Sequence, residues 1–120
     1  KKYGVTVIGL GFDRYNALST AQKLEDGGIP CTQVEQHSRT LHPATKRLAE
    51  VIAEGRFHYT KNTLLEINFQ NAKCTYDTNL NRYVNKKKSN AKVDMVVALI
   101  NAVYMLIQEE LYGWSFVSQT

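Results

Sequence analysis

The sequence predicts an α/β fold with a parallel β-α-β unit, a short β hairpin and a long C-terminal buried helix. Residues 3–10 are apolar and β-branched, and an amphipathic stretch separates them from a second strand-like segment, which is the order of a β-α-β unit. Residues 73–84 hold two short strand-like segments around a turn-forming sequence. Residues 92–107 contain no Gly or Pro and are apolar almost all round, which is typical of a core helix.

Composition limits the classes of protein to which the chain can belong. With 120 residues, of which 43% are hydrophobic and 22% charged, it has the length and balance of one soluble globular domain. The longest apolar run, at residues 95–100, is too short to cross a bilayer, and the N-terminal residues do not form a secretory leader. We therefore expect a cytoplasmic protein that does not engage a membrane. Its net charge of +4 permits an anionic partner.

The cysteine and histidine residues indicate neither a disulfide nor a zinc site. Cys31 and Cys74 lie far apart without ligand-like spacing, and we expect both to stay reduced. His37, His42 and His58 lack a partner at metal-ligand spacing.

The β-α-β unit follows from the spacing of its apolar and turn-forming residues. Apolar residues recur at helical spacing between residues 17 and 24, and Gly27-Gly28 end that helix. After Pro30, residues 31–35 alternate in the manner of a short strand. The two strands should therefore run parallel, with a right-handed crossover between them.

Two further helices and a hairpin are predicted before the last helix. Pro43 suits the first turn of one helix, and Gly55 ends it. A weaker helix covers residues 63–71, where the apolar residues have no clean period. Strands at residues 73–76 and 82–84 flank an Asp- and Asn-rich turn, in which Asp77 is expected to be a turn former rather than a ligand.

The last helix carries a polar stripe. Asp94, Asn101 and Gln108 are spaced by seven residues and therefore fall along one side of the helix. Such a stripe fits the solvent-facing edge of a core helix, and the helix dipole favours a carboxylate in the first turn. A ligand-binding role for Asp94 is the alternative, because placed carboxylates also mark functional sites.

A second acid stands at the end of the first strand. Gly9 and Gly11 match the start of a dinucleotide-binding loop, but Arg14 occupies the position of its third glycine, so we reject that interpretation. Asp13 then stands at the carboxyl end of a strand and before a helix. Open α/β sheets bind their ligands at this edge.

Asp13 and Asp94 together predict a divalent-metal site. Carboxylates without His or Cys suit hard cations such as Mg²⁺ or Mn²⁺, and a pair of such ions can drive phosphodiester cleavage by activating water and stabilising the leaving oxygen. Basic residues beside the two acids are predicted to bind a nucleic-acid backbone, although a solvated charge run is the commoner fate of such a loop. These residues are Arg14, Lys86, Lys87, Lys88 and Lys92.

A series of motifs extends over about residues 3–108 and ends in the pattern Lys-x-Asp-x-x-x-Ala-Leu. Its segments are Gly11-Phe12-Asp13-Arg14-Tyr15-Asn16-Ala17, Val34-Glu35-Gln36, Leu41-His42-Pro43-Ala44-Thr45-Lys46, Gly55-Arg56-Phe57-His58, Asn71-Ala72-Lys73 and Asn90-Ala91-Lys92-Val93-Asp94-Met95-Val96-Val97-Ala98-Leu99. In this order the series resembles the nuclease domain of the large terminase subunit of tailed bacteriophages.

The resemblance implies a ribonuclease H-like fold and a metal-dependent endonuclease that cuts concatemeric double-stranded DNA during phage DNA packaging. It implies a two-metal Mg²⁺ or Mn²⁺ site, in which Asp13 is the second acid of the family and Asp94 the third. His58 and Asn71 also match positions typical of the family. The implied partners are the DNA, the phage portal and the small terminase subunit, and the implied location is the cytoplasm of the bacterial host.

The family's first Asp is expected on a strand upstream of Lys1, and no phosphate-binding loop of an ATPase is found in the sequence. We therefore expect the C-terminal portion of a terminase-like nuclease domain, or a prophage remnant, with weak or no activity alone. Two alternatives stay open at this point. One is a non-catalytic module that docks on DNA or the portal, and the other is an unrelated α/β domain that binds a small ligand at its strand ends.

Overall fold

The computed structural model describes residue 4, residues 6–13 and residues 18–113. Strands and helices follow one another in a mixed order along this part of the chain. The elements are β1 (Leu10–Phe12), α1 (Leu18–Asp26), β2 (Cys31–Gln33), α2 (Ser38–Ala53), α3 (Thr63–Asn71), β3 (Cys74–Tyr76), β4 (Arg82–Val84) and α4 (Asp94–Tyr112). The predicted α/β class, with its parallel unit, hairpin and long last helix, is confirmed.

The strands β1 and β2 form the predicted parallel pair, with Gly11 opposite Thr32. The backbone N–H of Val34 donates to the Phe12 carbonyl at 2.7 Å and extends the pairing beyond β2. The prediction of a strand over residues 3–10 is wrong for the described residues 6–9, which precede β1 without strand structure. These residues have no strand partner in the described part of the chain, because β2 pairs only over three residues.

The helix α2 begins earlier than the sequence indicated. Pro43 was predicted in its first turn, but α2 starts at Ser38 and Pro43 lies inside it. The first turn is held by two side chains: Nδ1 of His37 accepts from the Arg39 N–H at 3.1 Å, and the Ser38 hydroxyl donates to Asp77 at 2.6 Å. A proline inside a helix costs roughly 3 kcal/mol, because it removes one backbone donor and crowds the preceding turn. The fixed first turn and the buried face of α2 offset this cost.

The main core lies between α2 and α4. Ala44 and Leu48 of α2 form one buried cluster with Val96 and Ile100 of α4, and each of the four is at most 5% exposed. A second cluster joins Met105 of α4 to Val34, which follows β2. The β-α-β unit and α2 are therefore packed on the same long helix.

One side of α4 is buried in the core, as predicted for a core helix, and its other side is exposed. The polar stripe does not follow that exposed side: Asn101 is 9% exposed and Gln108 is half-buried. A seven-residue spacing drifts by about 20° per heptad around a straight helix. The exposed side instead repeats every four residues, through Asp94, Ala98, Ala102, Leu106 and Glu110.

The length and composition of α4 would also suffice to cross a membrane, with 19 residues and a mean hydropathy of 1.3. The core helix of a soluble protein passes the same test, and α4 packs against α2, α3 and β1. Its length and hydropathy are therefore weak evidence for a membrane span.

The β3–β4 hairpin is antiparallel and rests on α2, where Nδ1 of His42 accepts from the Arg82 N–H at 2.8 Å. Its turn is built around Asp77, whose Oδ1 accepts from the N–H groups of Asn79 and Asn81 at 2.8 and 2.9 Å. The prediction that Asp77 forms the turn is confirmed. The hydrogen bonds from Ser38 and Asn81 hold the pKa of this carboxyl well below its ordinary value.

Candidate metal and nucleic-acid site

Asp13 directly follows β1 and is exposed to solvent. Since β1 and β2 are parallel, it lies at the carboxyl edge of the pair, where the sequence placed it. Its carboxylate has no hydrogen bond or ion pair with another described residue. The adjacent Arg14, which was predicted to contact DNA, lies outside the described residues.

Asp94 is the first residue of α4 and is also exposed. The preceding Val93 offers no side-chain cap, and α3 supplies one instead. Oδ1 of Asn68 accepts from the Met95 N–H at 3.1 Å, while Nδ2 of Asn68 donates to the Leu64 carbonyl at 2.9 Å. Asp94 therefore stands at the positive end of a helix whose first turn is fixed from outside, a position that favours a carboxylate.

Asn71 holds the segment just before Asp94. Its Nδ2 donates to the Lys92 carbonyl at 2.9 Å, and its own carbonyl accepts from the Asn90 N–H at 3.0 Å. The structure thus gives Asn71 a positioning role, for which the sequence offered no physical reason. His58, the other residue marked only by the resemblance, is exposed and has no hydrogen bond within the described part.

Asn68 acts with Asn71 but was not among the residues predicted from the sequence. Asn68 is 4% exposed and lies between Ile67 and Phe69 in a helix without a clean apolar period. A polar residue at the centre of such a stretch was the available signal. Its partner on α4 depends on the packing of two helices and could not be read from local sequence.

The lysines at positions 86–88 lie on an exposed loop that has a defined backbone. Oδ1 of Asn85 accepts from the N–H groups of Lys87 and Lys88 at 3.1 and 3.2 Å. The Ser89 hydroxyl donates to the Asn85 carbonyl at 2.7 Å and accepts from the Lys73 N–H at 3.1 Å. The side chains of Lys86, Lys87, Lys88 and Lys92 are exposed and form no ion pair with a described residue, so their charges are free to meet an anion.

The contacts of α4 give the direction of the two strands. A Cβ atom at Gly11 would lie 2.9 Å from Cγ of Met105, so β1 meets the second half of α4. Beyond the end of β2, Nε2 of Gln36 donates to Oδ1 of Asn101 at 3.2 Å. The strands therefore run towards the N-terminal end of α4.

Asp13 follows β1 in that direction, and Asp94 occupies the end of α4 towards which the strand runs. No hydrogen bond or ion pair among the described residues joins the two acids. Asp94 precedes Asn101 by seven residues, about 10 Å along the helix axis. Among the described residues, no three His, Cys, Asp or Glu side chains are grouped closely enough to hold a metal ion.

Comparison with known proteins shows the family. The family described as terminase large subunit, endonuclease domain, matches residues 1–110. The crystal structure of the HK97 bacteriophage large terminase is similar in fold, with a TM-score of 0.70 and 23% sequence identity. The similarity covers 80% of this chain and 20% of the HK97 chain. A search of curated proteins found no match.

Proposed function

This chain belongs to the family of terminase large subunit endonuclease domains, and on that premise we propose that it is part of a nuclease that cuts concatemeric double-stranded DNA during phage DNA packaging. The main support is that the family match spans both Asp13 and Asp94, and that both carboxylates are exposed and unpaired among the described residues. The chain corresponds to only a fifth of the HK97 terminase, so it would act as one part of a longer protein.

Asp13 and Asp94 would hold the divalent cation. Their donor chemistry fits Mg²⁺ or Mn²⁺, since both offer carboxylate oxygens that no described hydrogen bond already engages. Mg²⁺ is commonly bound through only one or two carboxylates, with water and substrate phosphate completing its coordination. When bound, such ions polarise a phosphodiester and activate water for attack, and a pair of ions would be expected in the intact domain.

The basic residues around Asp94 would hold the DNA backbone. Residues 82–92 include five cationic side chains and no acid, whereas the whole chain has a net charge of +4. Lysines that neutralise phosphates release counterions from the DNA, which gives affinity without sequence preference. Lys86, Lys87, Lys88 and Lys92 would supply this contact, with Arg14 beside Asp13. In the intact protein the portal and the small terminase subunit would be partners, in the cytoplasm of the bacterial host.

The metal assignment can be tested by adding Mn²⁺ to the ¹⁵N-labelled protein and measuring paramagnetic broadening of its amide resonances. We expect the earliest broadening around Asp13 and Asp94, and at least a fivefold weaker effect in Asp13→Asn and in Asp94→Asn. Asp26→Asn changes an exposed acid at the end of α1 and serves as the control that should behave as wild type. Broadening centred away from both acids would refute the assignment.

A second experiment separates the nuclease from a docking module. Duplex DNA should be nicked with Mn²⁺, weakly for this chain alone, and more slowly after either Asp→Asn change. Joint replacement of Lys86, Lys87 and Lys88 by Ala should make the negative slope of log affinity against log salt shallower by about 3. If the lysine variant loses DNA binding while neither Mn²⁺ nor the two acids affect binding or cleavage, the chain is a non-catalytic DNA-docking module.

A further inference from the structure

A cleft of about 430 Å³ lies between α2 and the β3–β4 hairpin, and we call it the α2–hairpin cleft. The residues with polar side chains that line it are His42, Lys46 and Glu50 of α2 and Tyr76 and Arg82 of the hairpin. Two of these side chains are cations and one is an acid, so the cleft carries a net positive charge. It is therefore a candidate site for an anion.

The α2 wall of the cleft is fixed by a hydrogen bond to the hairpin. Nδ1 of His42 accepts from the Arg82 N–H at 2.8 Å, so the His42 side chain meets β4 at Arg82 itself. Lys46 and Glu50 follow His42 at intervals of four residues, and they therefore lie along the same side of α2. The buried core residues Ala44 and Leu48 lie on the opposite side of the helix. The wall thus consists of polar residues only one or two turns from the hairpin contact.

The hairpin wall of the cleft follows from strand alternation. Arg82 pairs with Tyr76 across the hairpin, so their side chains leave the same face. Val84 stands two residues after Arg82 and shares that face as well. Since Val84 packs against the core cluster of α2 and α4, this is the face that meets α2. The Arg82 side chain is therefore on the same side of the hairpin as Lys46.

The donors of the cleft have no partner within the described part of the chain. The Arg82 guanidinium and the Lys46 amine form no hydrogen bond or ion pair there, although Arg82 is half-buried. Because Nδ1 of His42 is an acceptor, the proton of this imidazole is on Nε2, and this N–H also has no described acceptor. Withdrawing a charged group from water is costly unless it is paired. These unpaired donors indicate that an anion belongs in the cleft.

The charge and the position of the cleft favour a phosphodiester group as that anion. The guanidinium of Arg82 is a planar fork of donors that matches phosphate oxygens, and Lys46 adds a second cation. Glu50 forms no described ion pair with either of them and limits the positive charge to what one phosphodiester balances. Arg82 precedes Lys86 by four residues, which is at most about 13 Å of extended chain. One DNA strand is long enough to contact both the cleft and the lysines that begin at Lys86.

We propose that the α2–hairpin cleft binds one phosphate of the DNA backbone between Arg82 and Lys46, a few nucleotides from the phosphates that contact Lys86, Lys87 and Lys88. This inference rests on the proposed function and adds a second backbone contact to it. Phosphate contacts fix the register and orientation of a protein on DNA. Two contacts separated along the hairpin would therefore set the direction of the strand, which a single contact leaves free to turn.

The test measures binding of a short fluorescent duplex to the whole chain in EDTA, by anisotropy over a series of salt concentrations. Arg82→Gln and Lys46→Gln together should make the negative slope of log affinity against log salt shallower by about 1, because one phosphate contact is lost. Each single change should give a slope between those of wild type and the double variant, since one cation remains. Lys23→Gln removes an exposed cation of α1 that has no described ion pair, and it should leave the slope unchanged.

A variant with the opposite expected effect separates loss of binding from loss of folding. Glu50→Gln removes the acid of the cleft and should tighten DNA binding about twofold to fivefold, the range for one exposed charge interaction. Asp26→Asn removes an exposed acid at the end of α1 and should bind as wild type does.

Three results would overturn the proposal. A double variant with the wild-type slope would show that the cleft holds no phosphate, and a slope change of about 2 would show contacts with two separate phosphates. Either result overturns the shared phosphate site and leaves the contact at residues 86–88 standing. Absence of DNA binding by the wild-type chain would overturn both the cleft and the proposed DNA contact.

Discussion

The side-chain oxygen of Asn68 accepts a hydrogen bond from the backbone N–H of Met95 at 3.1 Å, so α3 caps the first turn of α4. This hydrogen bond attaches Met95, the residue after Asp94, to a buried residue of another helix. The hydrogen bond from Asn71 to the Lys92 carbonyl attaches the chain just before Asp94 to the same helix. The orientation of Asp94 therefore depends on the packing of α3 against α4, in addition to the local sequence.

Asn68→Ala should destabilise the protein by about 1–3 kcal/mol, because the Met95 N–H would lose its acceptor in a packed helix start. Urea unfolding measures this change, and hydrogen exchange at Met95 should accelerate relative to other α4 amides. Gln70→Ala is the matched control, since Gln70 lies on the same helix, is exposed and makes no described hydrogen bond. Equal stability of the two variants would show that the cap contributes nothing.

Much of the fold follows from local sequence. The third helix was predicted at residues 63–71 and occupies Thr63–Asn71, and the hairpin strands were placed to within one residue. The start of α2 was missed because its first turn is held by Asp77, a residue of the distant hairpin turn. The first strand was predicted too early because its length depends on the three residues that β2 offers for pairing.

The candidate site was only partly predictable from local sequence. The acids and lysines are visible in sequence, because carboxylates at a strand end and a helix start, and a run of lysines, are local patterns. Asn68 and Gln36 act through partners on α4 that lie 27 and 65 residues away, so no local pattern indicates them. The assignment of Asp13 and Asp94 to a metal stays a prediction.

Gly11→Ala should destabilise the protein by about 1–3 kcal/mol through overpacking. The added Cβ would lie 2.9 Å from Cγ of Met105 and 3.1 Å from Cγ2 of Val34, and both side chains are buried. Thermal or urea unfolding measures the loss. Gly27→Ala is the control, because its Cβ would meet nothing closer than 3.5 Å. Combining Gly11→Ala with Met105→Ala should cost less than the sum of the single changes, and strict additivity would contradict the clash.

Asp77→Asn should lower stability at neutral pH, with a difference from wild type that narrows in acid. The hydrogen bonds from Ser38 and Asn81 hold the pKa of Asp77 below its ordinary value of 3.8, so the folded state binds this proton less readily than the unfolded chain. The stabilisation that Asp77 gives the folded state is therefore fully present at pH values well above 3.8, and it is lost as the pH falls through the lowered pKa. Urea unfolding of both proteins between neutral and acidic pH measures this, with Asp26→Asn as the surface control. A difference that is constant down to strong acid would refute the linkage.

The Gln36–Asn101 pair should contribute a measurable coupling between the β-α-β unit and α4. Nε2 of Gln36 donates to Oδ1 of Asn101 at 3.2 Å, and Asn101 is 9% exposed, so this acceptor has little water to replace its partner. In a double-mutant cycle, Gln36→Ala and Asn101→Ala should show an interaction energy of about 0.5–1.5 kcal/mol. Asn101→Ala combined with Gln70→Ala should be additive within about 0.5 kcal/mol, since Gln70 is exposed and no described hydrogen bond joins the two residues. Additivity in the first cycle as well would mean that the hydrogen bond does not hold the strand end to the helix.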